Sequence, residues 1–342
     1  MMTIIFALLS FTLFLVNYFF LRNKILIDKS INFKDSHKKF INNQNKNIPL
    51  SGGFFFLILL IPLIFLFDPI LIFLFFLIYV IGLLSDIHYI KSPKIRIILQ
   101  FFTIFILVVY SGVSINDIRI NSFNHFLSYQ LISILFTVFC ILVLINGSNF
   151  IDGVNTLLCG YILAVLSIVI YVSYKNYLNF NQIIFQYFAL ALLVFFIFNF
   201  LNKCFLGDSG AYIISSFLGF NLILFFIKNN EISPYFIIVL LWYPAFENLF
   251  SIFKRIFFKK KTYLPDNTHL HHKIFLFLSK KFNLKNNHLS TITGLIINFF
   301  NFLTFLLASQ NIYYTQLHLK IILFNVTFYL ITYYFLSKRL KN

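Results

Sequence analysis

Asp208 is the one acid of FLGDSGAY, residues 205–212, where two glycines and a serine surround it just ahead of an apolar run. A carboxylate at such a helix start can hold Mg²⁺ while nearby backbone N–H groups face an anion, which is the chemistry a diphosphate requires. It can equally be a plain helix N-cap. In INGSNFIDGVNT, residues 145–156, Asn146 and Asn149 stand three apart, as do Asp152 and Asn155. Each pair shares one face if the backbone there is helical, making a polar rim for a ligand. The alternative is a glycine-containing turn with an Asx motif. In YLPDNTHLHHKIF, residues 263–275, His269, His271, His272 and Lys273 offer several donors to phosphate oxygens, unless they belong to a merely solvated loop. Zinc is disfavoured because no His pair at i, i+4 brackets a Glu and no cysteine is near. Finally, Asp86 in GLLSDIHYIKSPKIR ends an apolar run before the chain turns through Pro93, with Lys94 and Arg96 close by. It is either an interfacial cap beside snorkelling cations or part of a site.

These stretches matter because acids are scarce. Only 10 Asp and Glu occur in 342 residues, against 51 Phe, and charged residues make up 11%. With a mean hydropathy of +0.88, the chain is an all-α polytopic membrane protein rather than a soluble globule. About eleven transmembrane helices are expected, over 3–22, 51–67, 69–85, 95–113, 130–145, 157–174, 184–201, 212–228, 235–252, 289–308 and 318–336. The first run has no Lys or Arg ahead of it and no small-residue cleavage site, so it is expected to be a retained helix. An N-terminus outside and a cytoplasmic C-terminus put 23 of the 27 Lys and Arg inside, leaving Arg119, Lys175, Lys228 and Lys320 outside. The formal charge of +17 then follows from topology and anionic lipid. The basic residues are spread over several loops, which gives nucleic-acid binding no support. Cys140, Cys159 and Cys204 form no CxxC pair.

Residues 1–342 are expected to form a single membrane-embedded domain. Its cytoplasmic loops, 23–50, 86–94, 146–156, 202–211 and 253–288, would make one active-site face. On that topology Asp86, Asp152, Asp208, Glu247 and Asp266 all fall at one membrane face. A carboxylate at the hydrocarbon boundary is costly unless paired, hydrated or metal-bound, so such groups are functional candidates.

With these stretches in order, the sequence resembles the polyprenyl-phosphate N-acetylhexosamine-1-phosphate transferases of glycosyltransferase family 4. The matching elements are PLSGG at 49–53, the acidic turn at Asp86, NxxNxxDG at 146–153, GDSG at 207–210 and HLHH at 269–272. The resemblance implies transfer of a sugar 1-phosphate from a UDP-N-acetylhexosamine to undecaprenyl phosphate, releasing UMP and starting a surface glycan such as an O-antigen or lipopolysaccharide. It implies Mg²⁺, with Mn²⁺ as an alternative, at Asp208 and Asp152. Asn146, Asn149 and Asn155 would line the nucleotide side. His269, His271 and His272 would hold the diphosphate, with Lys46 a further basic contact. Asp86 would serve the acceptor phosphate as proton acceptor or orienting charge. The resemblance further implies the bacterial cytoplasmic (inner) membrane, an active site facing the cytoplasm and, as one alternative, a homodimer.

Two departures stand out: Ser85 precedes Asp86 where many members pair two acids, and DGVNT replaces DGxDG, so Asn155 stands where an acid is usual. Phosphate needs little help to lose its second proton at neutral pH, with pKa₂ about 6, so activity is still expected. WYPAFENLFSIFKR, residues 242–255, is also family-like. Its Glu247 either faces the cleft or pairs with Lys254 or Arg255, the structural role being preferred. The competing functions are a catalytically inactive member that binds the lipid carrier and a polytopic transporter. A transport path would need polar residues at midspan, whereas these midspans are nearly unbroken Phe, Leu and Ile.

Overall fold

The structure, a computed structural model, describes residues 2–28, 47–65, 68–257 and 269–341. Lys46 and Asp266 lie outside them. Thirteen α-helices follow one another among the described residues: α1 (Met2–Arg22), α2 (Gly52–Leu60), α3 (Pro69–Asp86), α4 (Pro93–Ser111), α5 (Asn121–Leu127), α6 (Gln130–Ile151) and α7 (Leu157–Lys175), then α8 (Gln182–Phe200), α9 (Gly207–Lys228), α10 (Pro234–Phe257), α11 (Leu270–Lys281), α12 (Asn286–Ala308) and α13 (Thr315–Lys341). A two-residue antiparallel pair, β1 (Ile27–Asp28) with β2 (Ile48–Pro49), is the described sheet.

Ten of these helices are long and apolar enough to cross a membrane, and the chain is a polytopic membrane protein. The expected run 51–67 is the exception. Its helix α2 has nine residues, about 14 Å, and is followed by one 3₁₀ turn over Pro62–Phe65. Pro62 lacks the N–H that would continue the ladder, so an apolar pattern alone overestimated the helix. At one end of the segment Gly52 and Gly53 donate to Phe205 O and Leu206 O, beside the C-terminus of α3; at the other, Asp68 caps α3 by accepting from Ile70 N at 2.8 Å.

Other expected loops are shorter. Residues 146–151 are the last turns of α6, residues 207–211 begin α9, and α11 occupies part of 253–288. Asparagine ends a helix when its side chain bonds backbone groups in a cap or turn. Here the Asn146 amide donates to Leu142 O at 2.9 Å and to Gln100 Oε1 at 3.1 Å, so the helix continues.

The centre of the bundle is α9, with 89% of its apolar window buried, against 28% for α1 and 22% for α13 at the perimeter. Without a hydrophobic drive between helices in lipid, close packing comes from small residues. On α9 these are Gly207, Ser209, Gly210, Ala211, Ser215, Ser216 and Gly219, all buried. A methyl group at Gly82 of α3 would overlap the Ser209 backbone, and one at Gly53 of α2 would overlap the Ser209 side chain. The glycines of PLSGG and GDSG thus let backbones meet.

On the other flank α6 meets α10 where a methyl group at Gly147 would overlap the Pro244 carbonyl. Pro244, inside α10, leaves the carbonyl of Leu240 without its helical donor. The Tyr161 hydroxyl of α7 supplies one at 2.8 Å. Midspan is less purely apolar than composition suggested, since Trp242 Nε1 donates to buried Asn301 Oδ1 at 2.7 Å.

Candidate active site

The C-terminus of α3 meets the N-terminus of α9. Asp86 Oδ1 accepts from the backbone N–H of Asp208 at 2.8 Å; its Oδ2 accepts from Ser209 N at 3.0 Å and Ser209 Oγ at 2.6 Å. A carboxylate from one helix therefore caps another, satisfying orphan donors and facing the positive end of the α9 dipole. Gly207, at φ +77°, makes the turn into α9, and a Cβ there would stand 2.8 Å from Asp86 Oδ2. Only glycine meets both conditions. The Asp86 side chain thus holds the start of α9.

The Asp208 side chain turns instead toward Ser85 and α4. Its Oδ2 accepts from Ser85 Oγ at 2.5 Å and from Arg96 Nη1 at 2.8 Å, and Arg96 Nη1 also donates to Ser85 Oγ at 2.7 Å. Ser85, where a second acid was expected from the resemblance, thus acts as a hydroxyl clamp on Asp208. In the sequence Arg96 stood out only as a nearby cation. Its signal was the spacing to Gln100: two polar residues at i, i+4 at the start of an apolar helix share a face. Gln100 reaches Asn146 of α6, so α4 bridges the Asp208 junction to the INGSNF turns.

The third group is the histidine arm at the start of α11. Glu247 of α10 is 1% exposed. Its Oε1 accepts from Leu270 N at 2.9 Å and lies 3.4 Å from His269 Nδ1 and 3.9 Å from His271 Nδ1, while Oε2 accepts from the Tyr329 hydroxyl of α13. The expected pairing of Glu247 with Lys254 or Arg255 gives way to this, because the buried carboxylate faces α11 and α13. The ring centroids of His271 and His272 are 4.2 Å apart. A methyl group at Gly153 would overlap His271, with His272 Nε2 3.0 Å away, so the DG turn and the histidine arm are in contact. Phe150 lies 5.3 Å from His269, ring to ring.

Asp152, 5% exposed, ends α6 at this contact, and Asn149 is half-buried one turn before it. Asn155 is not on the rim. It is fully buried, its N–H donates to Ser290 Oγ at 2.9 Å and its amide donates to Asn202. Next to it Thr156, at φ +65°, is pinned by Asn199 Oδ1 (2.7 Å) and Asn298 Nδ2 (2.9 Å). Asn155 holds the turn against α12; the spacing to Asp152 misled because α7 begins only at Leu157.

No group of three or more His, Cys, Asp or Glu among the described residues is placed to hold a metal by itself.

Residues 69–226 match the sequence model described as glycosyl transferase family 4. A relative in Bacillus subtilis (strain 168), a probable undecaprenyl-phosphate N-acetylglucosaminyl 1-phosphate transferase, is 26% identical over 212 residues, covering 59% of this chain and 56% of that protein. The chain therefore matches little more than half the length of that relative. The family match holds Asp86, Arg96, Asp152 and Asp208; Glu247, the histidine arm and α13 lie beyond it.

Proposed function

We propose, from the match of residues 69–226 to glycosyl transferase family 4, an enzyme that moves a sugar 1-phosphate, an N-acetylhexosamine 1-phosphate, from a UDP-sugar to undecaprenyl phosphate. An oxygen of the acceptor phosphate attacks the phosphorus that bears the sugar, the bridging P–O bond breaks, and UMP leaves. The observation that carries this reading is the gathering of the Asp86, Arg96 and Asp208 junction, the Asp152–Gly153 turn and the histidine arm at one end of an apolar bundle. A lipid-borne phosphate can meet a soluble nucleotide only at such an end.

The groups divide the chemistry. Asp86 fixes α9, Ser85 and Arg96 orient Asp208, and Asp208 with Asp152 would ligate Mg²⁺. The ion, when bound, neutralises diphosphate charge. His269, His271 and His272 with Lys273 face the diphosphate, and Asn149 the nucleotide. A cavity of about 200 Å³ lined by apolar residues such as Phe139, Leu222 and Ile238 lies in the halves of α6, α9 and α10 away from Asp208 and offers apolar space to a long lipid tail. The 23 basic residues on the expected inside favour an active site facing the cytoplasm of a bacterial inner membrane, with the product starting a surface glycan.

Membranes containing the protein, undecaprenyl phosphate, Mg²⁺ and a panel of UDP-N-acetylhexosamines test the reading by UMP release and labelled lipid. Transfer that needs the metal and is lost in Asp208→Asn supports it. No transfer from any donor by folded protein overturns it and favours the inactive lipid-carrier binder.

A further inference from the structure

We propose that Tyr329 and Tyr333 of α13 are positioning residues for the histidine arm, Tyr329 through Glu247 and Tyr333 through Lys273. The inference deepens the transferase reading and rests on it for its turnover assay.

Helix α13 is peripheral, yet its inward face carries two tyrosines one turn apart, stacked with ring centroids 6.1 Å apart. Packing alone does not require their hydroxyls, for phenylalanine would fill the same space against Phe246 and Phe250, 4.9 and 5.5 Å from Tyr329. The hydroxyl of Tyr329 does something else. It donates to Glu247 Oε2 in a place where both residues are 1% exposed. A buried carboxylate is costly unless donors reach it, and a fixed donor on one oxygen fixes the direction of the other. That other oxygen, Oε1, holds the first N–H of α11 and faces His269 and His271. One turn on, Tyr333 lies under Lys273, whose Nζ is 4.6 Å from the ring centroid, and its hydroxyl takes Lys254 Nζ at 3.4 Å. Lys273 follows the histidines directly. The two tyrosines thus set the tilt and reach of HLHHK from a helix outside the matched family segment.

The test uses purified full-length protein with Tyr329→Phe, Tyr333→Leu and Glu247→Gln. It measures kcat and KM for the nucleotide sugar and for the lipid phosphate, and Kd for UDP with Mg²⁺ by calorimetry. Tyr329→Phe is expected to raise the nucleotide-sugar KM and the UDP Kd about tenfold, the size of one hydrogen bond to a charged group. The lipid KM and kcat stay near wild type. Tyr333→Leu shifts the same two constants in the same direction. Adding Tyr329→Phe to Glu247→Gln changes nothing more, because the hydroxyl acts through the carboxylate. Variants that melt lower while keeping wild-type KM and Kd would make the tyrosines structural only and overturn the inference. Wild type that transfers nothing but binds UDP, with binding weakened in Tyr329→Phe, sinks the transferase reading and leaves the inference standing. Wild type that neither transfers nor binds UDP sinks both.

Discussion

The carboxylate of Asp86 accepts the backbone N–H of Asp208 at 2.8 Å, so the residue that ends α3 caps the helix that begins α9. The two acids of this junction divide the work. Asp86 secures the backbone while Asp208, on the same helix start, presents its side chain to Ser85 and Arg96.

Removing this cap destabilises the fold. Asp86→Ala is expected to cost about 2 kcal/mol, by the usual loss of an N-cap and of hydrogen bonds to a charged acceptor. Asp86→Asn, which keeps an acceptor oxygen but not the charge, should cost about half as much. Thermal melts in detergent measure both; an Asp86→Ala protein as stable as wild type would show that α9 does not depend on the cap.

Ser85→Asp would set a second carboxylate against Asp208 Oδ2, which Ser85 Oγ now reaches at 2.5 Å. Like charges so close repel, and the single guanidinium of Arg96 neutralises one of them. The variant is expected to melt below wild type in a chelator and to regain most of the difference when Mg²⁺ is added. A melting temperature indifferent to Mg²⁺ would count against a cation site at Asp208.

Two glycines separate the effect of crowding from that of backbone conformation. A methyl group at Gly82 meets the Ser209 backbone, which cannot move without parting α3 from α9, whereas one at Gly112 meets nothing within 4 Å but must adopt φ +66°. Gly112→Ala is expected to cost about 1 kcal/mol. Gly82→Ala should cost about 3 kcal/mol, at the upper end for overpacking, and should lower transfer as the junction opens. Equal melting temperatures for the two variants would contradict the packing described.

Tyr161 and Pro244 form a compensating pair. Tyr161→Phe should cost about 1 kcal/mol, because Leu240 O loses the donor that replaced the missing helix N–H. In a Pro244→Ala background the same change should cost little, since the alanine N–H can donate to that carbonyl. The measurement is a double-mutant cycle of melting curves, and additive costs would refute the compensation.

Membrane class, most helix positions and the polar stretches at span ends were legible in the sequence, because hydropathy and helix length are properties of single segments. GDSG, the DG turn and HLHH could be read as site elements because a chain so poor in acids has few reasons to place polar residues at span ends. The tertiary structure decided what each one touches. Asp86 and Ser209 are 123 residues apart, Asn155 and Ser290 135, and Glu247 and Tyr329 82, and nothing local marks these partners. Spacing suggested that Asn155 shared a ligand-facing surface with Asp152, but the turn between α6 and α7 buries it against α12. Arg96 resembled a snorkelling interfacial cation until the packing of α4 brought it to Asp208. An apolar pattern fixes how long a segment can stay in lipid; which oxygen meets which donor depends on how the described helices pack, and close approach at Gly53, Gly82, Gly147 and Gly153 sets that.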